Sequence, residues 1–219
     1  ERNGDRGIHP YPIQIALQTQ EFMQGVLWHA AFADIAAGEY VRLPNGVAKI
    51  EACMSQRGLE PMVSSEGWKI LAKYQSIFGG VVFQTVLILL NSHWDWYDRR
   101  LSEFVAFARN FVESPPLSKK RLRDLARADY LPIDQQLSVI CEAAGIELRL
   151  AVEDIDELVE MTLVRNLGLH NRWEVDARYV GRSNRATAHV GELRLVAADE
   201  LRQWHALLVQ VLNASALVD

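Results

Sequence analysis

Apolar residues return at intervals of three and four positions along most of the chain, which is the spacing of one face of an α-helix. The first such stretch predicts a helix over residues 12–37, ended by Gly38. Residues 39–65 are rich in turn formers and predict a connector with one short helix at residues 47–56. The pattern therefore predicts an all-α protein.

Further helices follow in the second part of the chain. The pattern over residues 65–112 lacks proline, but one straight helix of this length would be roughly 70 Å long at 1.5 Å per residue. We therefore expect a break at Gly79-Gly80 or at Asn91-Ser92, where glycine pairs and polar residues favour kinks. A helix is predicted at residues 134–143, and residues 190–196 predict a short strand or an extended loop.

Two helix starts are predicted from acidic residues. Asp154 with Glu157 three residues later resembles a capping box, and Asp199 precedes a last amphipathic helix. We divide the chain into an N-terminal helix and connector, residues 1–64, packed on a bundle, and a helical domain, residues 65–219.

The composition predicts a soluble globular protein. The chain has 219 residues, of which 49% are hydrophobic, enough to bury a core. Cys53 and Cys141 are too few for a disulfide framework, and no signal-peptide pattern opens the sequence, so we expect the cytoplasm. The most apolar run, residues 81–90, is about half as long as a membrane-spanning helix, so no membrane partner is expected.

Charge argues against one class of function and leaves another open. The formal net charge of -5 does not fit a protein that coats nucleic acid regardless of sequence. Residues 118–127 nevertheless hold five basic residues and one acid. Such runs are usually solvated helix faces, and the second interpretation is a patch that contacts phosphate.

Residues 165–171 combine two side chains suited to cutting a phosphodiester. Histidine exchanges a proton near neutral pH, and arginine offers a permanently charged fork to phosphate oxygens. On a helix, Asn166 and His170 share a face, whereas Arg165 and His170 lie roughly 140° apart. Either the helix ends at Gly168 and His170 swings back, or two copies of the chain line one cleft. We favour the second arrangement.

The spacing from arginine to histidine carries little information alone. Similar spacings occur from Arg2 to His9 and from Arg182 to His189. The middle occurrence differs because asparagine follows both of its residues and because it lies late in an amphipathic helix.

Arg165-Asn166, three further residues and His170-Asn171 resemble the signature of the HEPN superfamily. Residues 174–180 also resemble the acidic-then-tyrosine continuation of some subfamilies, and the similarity covers about residues 154–180. The resemblance implies a helical bundle of HEPN type with extra N-terminal helices. It also implies a metal-independent endoribonuclease that leaves a 2',3'-cyclic phosphate, needs no cofactor or metal, and uses Arg165, Asn166 and His170 as catalytic residues.

The resemblance implies partners as well. RNA would be the substrate, and a homodimer would form one composite site from two facing motifs. The setting would be a toxin–antitoxin, phage-defence or RNA-processing system, with an antitoxin or defence protein as a further partner. Position 172 is Arg, so the tyrosine that one HEPN toxin group has there is absent. An acid on a neighbouring helix completes some HEPN sites, and Asp95, Asp98 and Glu103 are available, although ordinary surface charge explains each.

Two non-catalytic interpretations stand beside this one. A helix C-terminus favours positive side chains, so Arg165 and His170 could serve the helix end while Asn166 and Asn171 cap it. The chain would then be a helical interaction module or a nucleotide-binding regulatory partner.

Overall fold

The computed structural model describes residues 10–42, 75–111, 117–128, 131–185 and 188–216, and single positions at 45, 48–49, 52 and 56. The all-α class is confirmed for these residues, whose only strand-like feature is one antiparallel bridge between Glu174 and Leu193. The helices of this part of the chain are α1 (Pro10–Arg42), α2 (Gln75–Phe111), α3 (Lys119–Leu125), α4 (Ile133–Ala144), α5 (Val152–Asn171), α6 (Ala177–Val180) and α7 (Ala198–Ser215).

The helices pack around one apolar core. Met23 of α1, Trp94 and Tyr97 of α2, Met161 of α5 and Trp204 of α7 are almost fully buried in it. Burying a large apolar side chain stabilises a fold by roughly 1.5–3 kcal/mol, so these residues hold the helices together. The described part of the N-terminal region thus shares the bundle core. The boundary at residues 64–65 lies outside the described residues, as does most of the predicted helix at 47–56.

Polar contacts fix α2 against its neighbours. The Trp94 indole donates to Gln136 Oε1 on α4 at 3.1 Å, and the Tyr97 hydroxyl lies 2.7 Å from Ser215 Oγ on α7. The Arg109 guanidinium donates to two carbonyls at the end of α4, those of Ala143 at 3.1 Å and Ala144 at 2.7 Å. These bonds satisfy polar groups that burial would otherwise leave unpaired.

The predicted break in α2 is wrong, because this helix is continuous from Gln75 to Phe111. Asn91 is buried and donates to the carbonyl of Leu87 at 2.9 Å, while Ser92 donates to that of Ile88 at 3.0 Å. Each side chain therefore bonds one turn back along its own helix, and neither interrupts the helix.

The helix boundaries also differ from the predictions. Gly38 does not end α1, which continues to Arg42. The residue before α5 is Ala151 rather than Asp154, and the residue before α7 is Ala197 rather than Asp199. Both acids lie inside the first turn, where the partial positive charge of a helix start still favours them. The acidic residues therefore identified the right two helices but not the residues at which these helices start.

Two other predictions agree with the structure. The helix predicted at residues 134–143 is α4, and residues 190–196 take the extended-loop alternative. None of the helices that the structure describes combines the length and the apolar character that crossing a bilayer requires.

Candidate functional site

The arginine–histidine motif occupies the last two turns of α5. The helix is regular to Asn171, so the arrangement in which it ends at Gly168 is wrong. Gly168 serves a different purpose, because the Trp173 ring lies directly against it. A Cβ at position 168 would lie 2.3 Å from Cζ2 of Trp173, so this position has no space for a side chain.

The chain leaves α5 through a tight left-handed turn. Arg172 and Trp173 have φ values of 51° and 69°, a conformation that non-glycine residues rarely adopt. The Trp173 N–H donates to the carbonyl of Leu167 at 3.1 Å, and Asn171 Nδ2 donates to that of Glu174 at 2.6 Å. Asn171 thus fixes the turn after the helix, which is the capping role considered for it.

Arg165 is held by an acid from another helix. Its Nη2 donates to Asp95 Oδ2 of α2 at 2.6 Å, and its Nη1 donates to Asn166 Oδ1 at 3.2 Å. The side chains of Arg165 and Asp95 are 22% and 36% exposed, so the pair lies at the edge of the solvent. The guanidinium is therefore fixed yet accessible.

Asp95 is one of three acids that the sequence offered. The other two do not take this place: Asp98 is buried, and Glu103 pairs with Arg100 at 3.1 Å. The structure thus brings Asp95, Arg165 and Asn166 into one cluster.

His170 is exposed, one helical turn beyond Asn166. Within the described residues its ring makes no hydrogen bond. Because α5 is regular, His170 and Arg165 leave the helix axis in directions roughly 140° apart. One copy of the chain therefore presents the two side chains on different sides of the same helix end.

A buried carboxylate anchors the loop that follows the motif. Glu160 of α5 is 4% exposed and accepts hydrogen bonds from the Tyr179 hydroxyl at 2.5 Å, from Ser183 Oγ at 2.7 Å and from Arg194 Nη2 at 3.3 Å. The role of Glu160 was not predicted from the sequence. Its signal is an acid beside Met161 on the apolar face of an amphipathic helix, because a buried carboxylate needs partners.

Two arginines extend this network to α7. Arg194 and Arg185 each donate to Glu200 Oε1 at 2.5 Å, and Arg185 also reaches Glu157 at 3.3 Å. Burial opposes the ionisation of Glu200, but the hydrogen bonds from Arg194 and from the Ala197 N–H outweigh it, so its pKa lies below the usual value. The network ties the loop after α5 to both α5 and α7.

Two further histidines lie on α2 and α7. His93 stacks on Phe22, with ring centroids 5.2 Å apart, and burial lowers its pKa. Burial also lowers the pKa of His205 on α7. In the ranges that the structure describes, no three His, Cys, Asp or Glu side chains are grouped so that they could hold a metal ion.

When this chain is compared with family models, with curated proteins and with solved structures, nothing matches it.

Proposed function

We propose that this chain is a metal-independent endoribonuclease of HEPN type that acts as a homodimer. The observation that carries the proposal is the position of Arg165. It is clamped by Asp95 and Asn166 at the edge of the solvent, on the same helix end that exposes His170.

Such an arrangement suits cleavage by the ribose 2'-hydroxyl. This oxygen attacks the adjacent phosphorus while the bond to the 5'-oxygen of the next nucleotide breaks. A neutral imidazole takes the proton of the 2'-hydroxyl, and a protonated imidazole gives a proton to the leaving oxygen. The products are a 2',3'-cyclic phosphate and a 5'-hydroxyl, and no water is consumed in this step.

The roles of the site residues follow from their chemistry. His170 transfers protons, Arg165 stabilises the negative charge on the phosphate oxygens, and Asn166 orients Arg165. Asp95 is a positioning residue, since its carboxylate holds the guanidinium on the exposed side of α5.

The need for a second copy follows from the angle between Arg165 and His170. One regular helix does not direct both side chains at the same phosphate. Two motifs facing each other across a twofold axis place the Arg165 and His170 side chains of both copies around one cleft. Two imidazoles are also what the two proton transfers require.

His170→Ala tests the proposal, with His189→Ala as the matched control. His189 is also exposed, follows Arg182 at a similar spacing, and lies outside α5. We expect H170A to abolish cutting of single-stranded RNA in the presence of a chelator, with helicity and oligomeric state unchanged. H189A should cut like the original chain and leave a 2',3'-cyclic phosphate. Equal cutting by H170A would refute the proposal.

The setting that we propose is a toxin–antitoxin, phage-defence or RNA-processing system in the cytoplasm. A small antitoxin or defence gene next to the gene for this chain would support it. A genomic neighbourhood of unrelated housekeeping genes would speak against it.

The alternative function, a non-catalytic interaction module, is favoured by a different observation. Trp28, Phe32 and Ile35 of α1 are 68%, 73% and 65% exposed, and large exposed apolar side chains in one region often mark contact surfaces. A chain that is monomeric and cuts no RNA would favour this alternative.

A further inference from the structure

The proposed cleavage chemistry makes no use of the basic run around α3. We define the α3 basic face as Lys119, Lys120, Arg123 and Arg127, all of which are exposed. Lys119 and Arg123 are four residues apart and Lys120 precedes Arg123 by three, so these side chains are neighbours on the helix surface. Arg127 follows in the turn directly after the helix. The four charges therefore form one patch.

The orientation of this helix is fixed by packing. Leu125 is buried in the core, and Leu122 is half-buried beside it. At 100° per residue, these leucines lie roughly opposite the middle of the basic face. Ser118 Oγ accepts a hydrogen bond from the N–H of Arg121 at 3.3 Å and caps the helix start. The basic side chains are therefore held outward.

Asp124 is the one acid on α3, so the α3 basic face keeps a surplus of positive charge. Within the described part of the chain, none of its four side chains forms an ion pair, whereas exposed arginines elsewhere do: Arg149 pairs with Glu147, and Arg202 with Asp199. Like charges three or four residues apart destabilise a helix by roughly 0.2–0.5 kcal/mol per pair. In a chain of net charge -5, a face that served solubility alone would gain from interleaved acids.

Helix α3 lies alongside the helix that holds Asp95. Helix α3 meets α2 around a hollow of about 330 Å³, which Leu122 and Ala126 line together with Ser102 and Ala106 of α2. Those two α2 residues follow Asp95 by seven and eleven positions, roughly 10 and 16 Å along the helix axis. Helix α3 thus packs on α2 about two to three helical turns beyond Asp95.

We propose that the α3 basic face binds the phosphate backbone of the RNA strand that is cut at Arg165 and His170. This inference rests on the proposed function and extends it to the substrate. Lysine and arginine side chains on an exposed helix contact phosphates without reading bases, so this contact positions a strand regardless of its sequence. We expect short oligonucleotides that reach only the cleavage site to bind more weakly than longer strands.

Binding is tested with a fluorescein-labelled, single-stranded 2'-O-methyl RNA of about 20 nucleotides, which lacks the hydroxyl needed for cleavage. Anisotropy gives the association constant at several salt concentrations for the original chain and for Arg123→Gln/Arg127→Gln. The matched control is Arg149→Gln/Arg202→Gln, which removes the same charge from exposed arginines outside the patch.

The α3 variant should weaken binding several-fold. It should also reduce the slope of log K against log salt by about 1.4, since each single-strand phosphate contact contributes about 0.7. The control should bind like the original chain. With cleavable RNA, the α3 variant should raise KM and leave kcat unchanged. A single Arg123→Gln variant should reduce the slope by about half as much, a graded effect that misfolding would not produce.

The possible failures are distinguishable. If both double variants bind RNA equally, or if the original chain does not bind the probe, the inference is wrong. The same variants are also tested for binding to vesicles containing phosphatidylserine. The inference is wrong as well if the α3 variant loses binding to these vesicles and not to the RNA. If the original chain binds RNA through α3 but cuts none, the proposed function fails while the RNA-binding face stands.

Discussion

Arg165 is positioned by neighbours on two elements, Asp95 on α2 and Asn166 on its own helix. Partly exposed ion pairs contribute only about 0–1 kcal/mol to stability, because solvent screens them. The value of this pair for the proposed function therefore lies in geometry. A guanidinium already held in place loses less conformational freedom when it meets a phosphate.

Gly168 offers a sharp test of the local packing. In an open helix, Gly→Ala stabilises by up to about 1 kcal/mol. At position 168 the new methyl group would meet the Trp173 ring, so we expect G168A to destabilise the protein by about 1–3 kcal/mol in urea unfolding. Gly25→Ala in α1 is the matched control, because its new Cβ would meet nothing within 4 Å.

The clash predicts a rescue as well. When Trp173→Ala is already present, adding G168A should cost little or nothing, since the ring is gone. If G168A is as stable as G25A, the described contact between Gly168 and Trp173 is wrong.

At the scale of single residues, the sequence predicted part of the candidate site. Arg165, Asn166 and His170 could be chosen from identity and spacing, and their catalytic roles stay predictions. The partner of Arg165 could not be chosen among three acids, because the rotation of α2 against α5 decides which one faces the arginine. The contact of Trp173 with Gly168 depends on two positive φ values, which residue identities alone do not reveal.

At the scale of elements, hydrophobic periodicity predicted the longer helices, α1, α2, α4, α5 and α7, because it reflects which face is buried. It predicted their ends and breaks less well. Asn91 and Ser92 have polar side chains that can interrupt a helix or bond back to it, and only the structure shows the second outcome. The buried network around Glu160 was missed, since it joins α5 to a loop that follows it in sequence.

The loop network predicts how stability depends on pH. Glu200 has a usual pKa of 4.5, and its pKa is lower in the folded chain, so its ionised form stabilises the fold. This contribution is complete above pH 4.5 and is lost as the pH falls through the lower, folded-state pKa. Glu200→Gln should therefore destabilise the chain at neutral pH, by about 1–3 kcal/mol, and less at acidic pH.

The measurement is urea unfolding at neutral pH and at several pH values below 4.5. Glu153→Gln serves as the control, because Glu153 is an exposed acid in the first turn of α5. A destabilisation by E200Q that is the same at every pH would show that the ionised network does not contribute as described.

At the scale of the whole molecule, charge is unevenly distributed. The chain carries a net charge of -5, yet the α3 basic face is exposed beside the helix that positions Arg165. An acidic protein with a local basic surface favours defined contact with a polyanion over general adhesion. The proposed cleavage site also depends on the whole molecule, because one copy of the chain directs Arg165 and His170 to two different sides of α5.

The most direct measurement is therefore RNA cutting in mixtures of the original chain with H170A, after subunit exchange has been verified. At a ninefold excess of H170A, nearly all original chains pair with an inactive copy, and cutting per original chain should fall to about one tenth if both histidines are needed. An H189A excess should leave cutting per original chain unchanged. If the amount of RNA cut per original chain stays the same at every excess of H170A, this result would contradict the composite site.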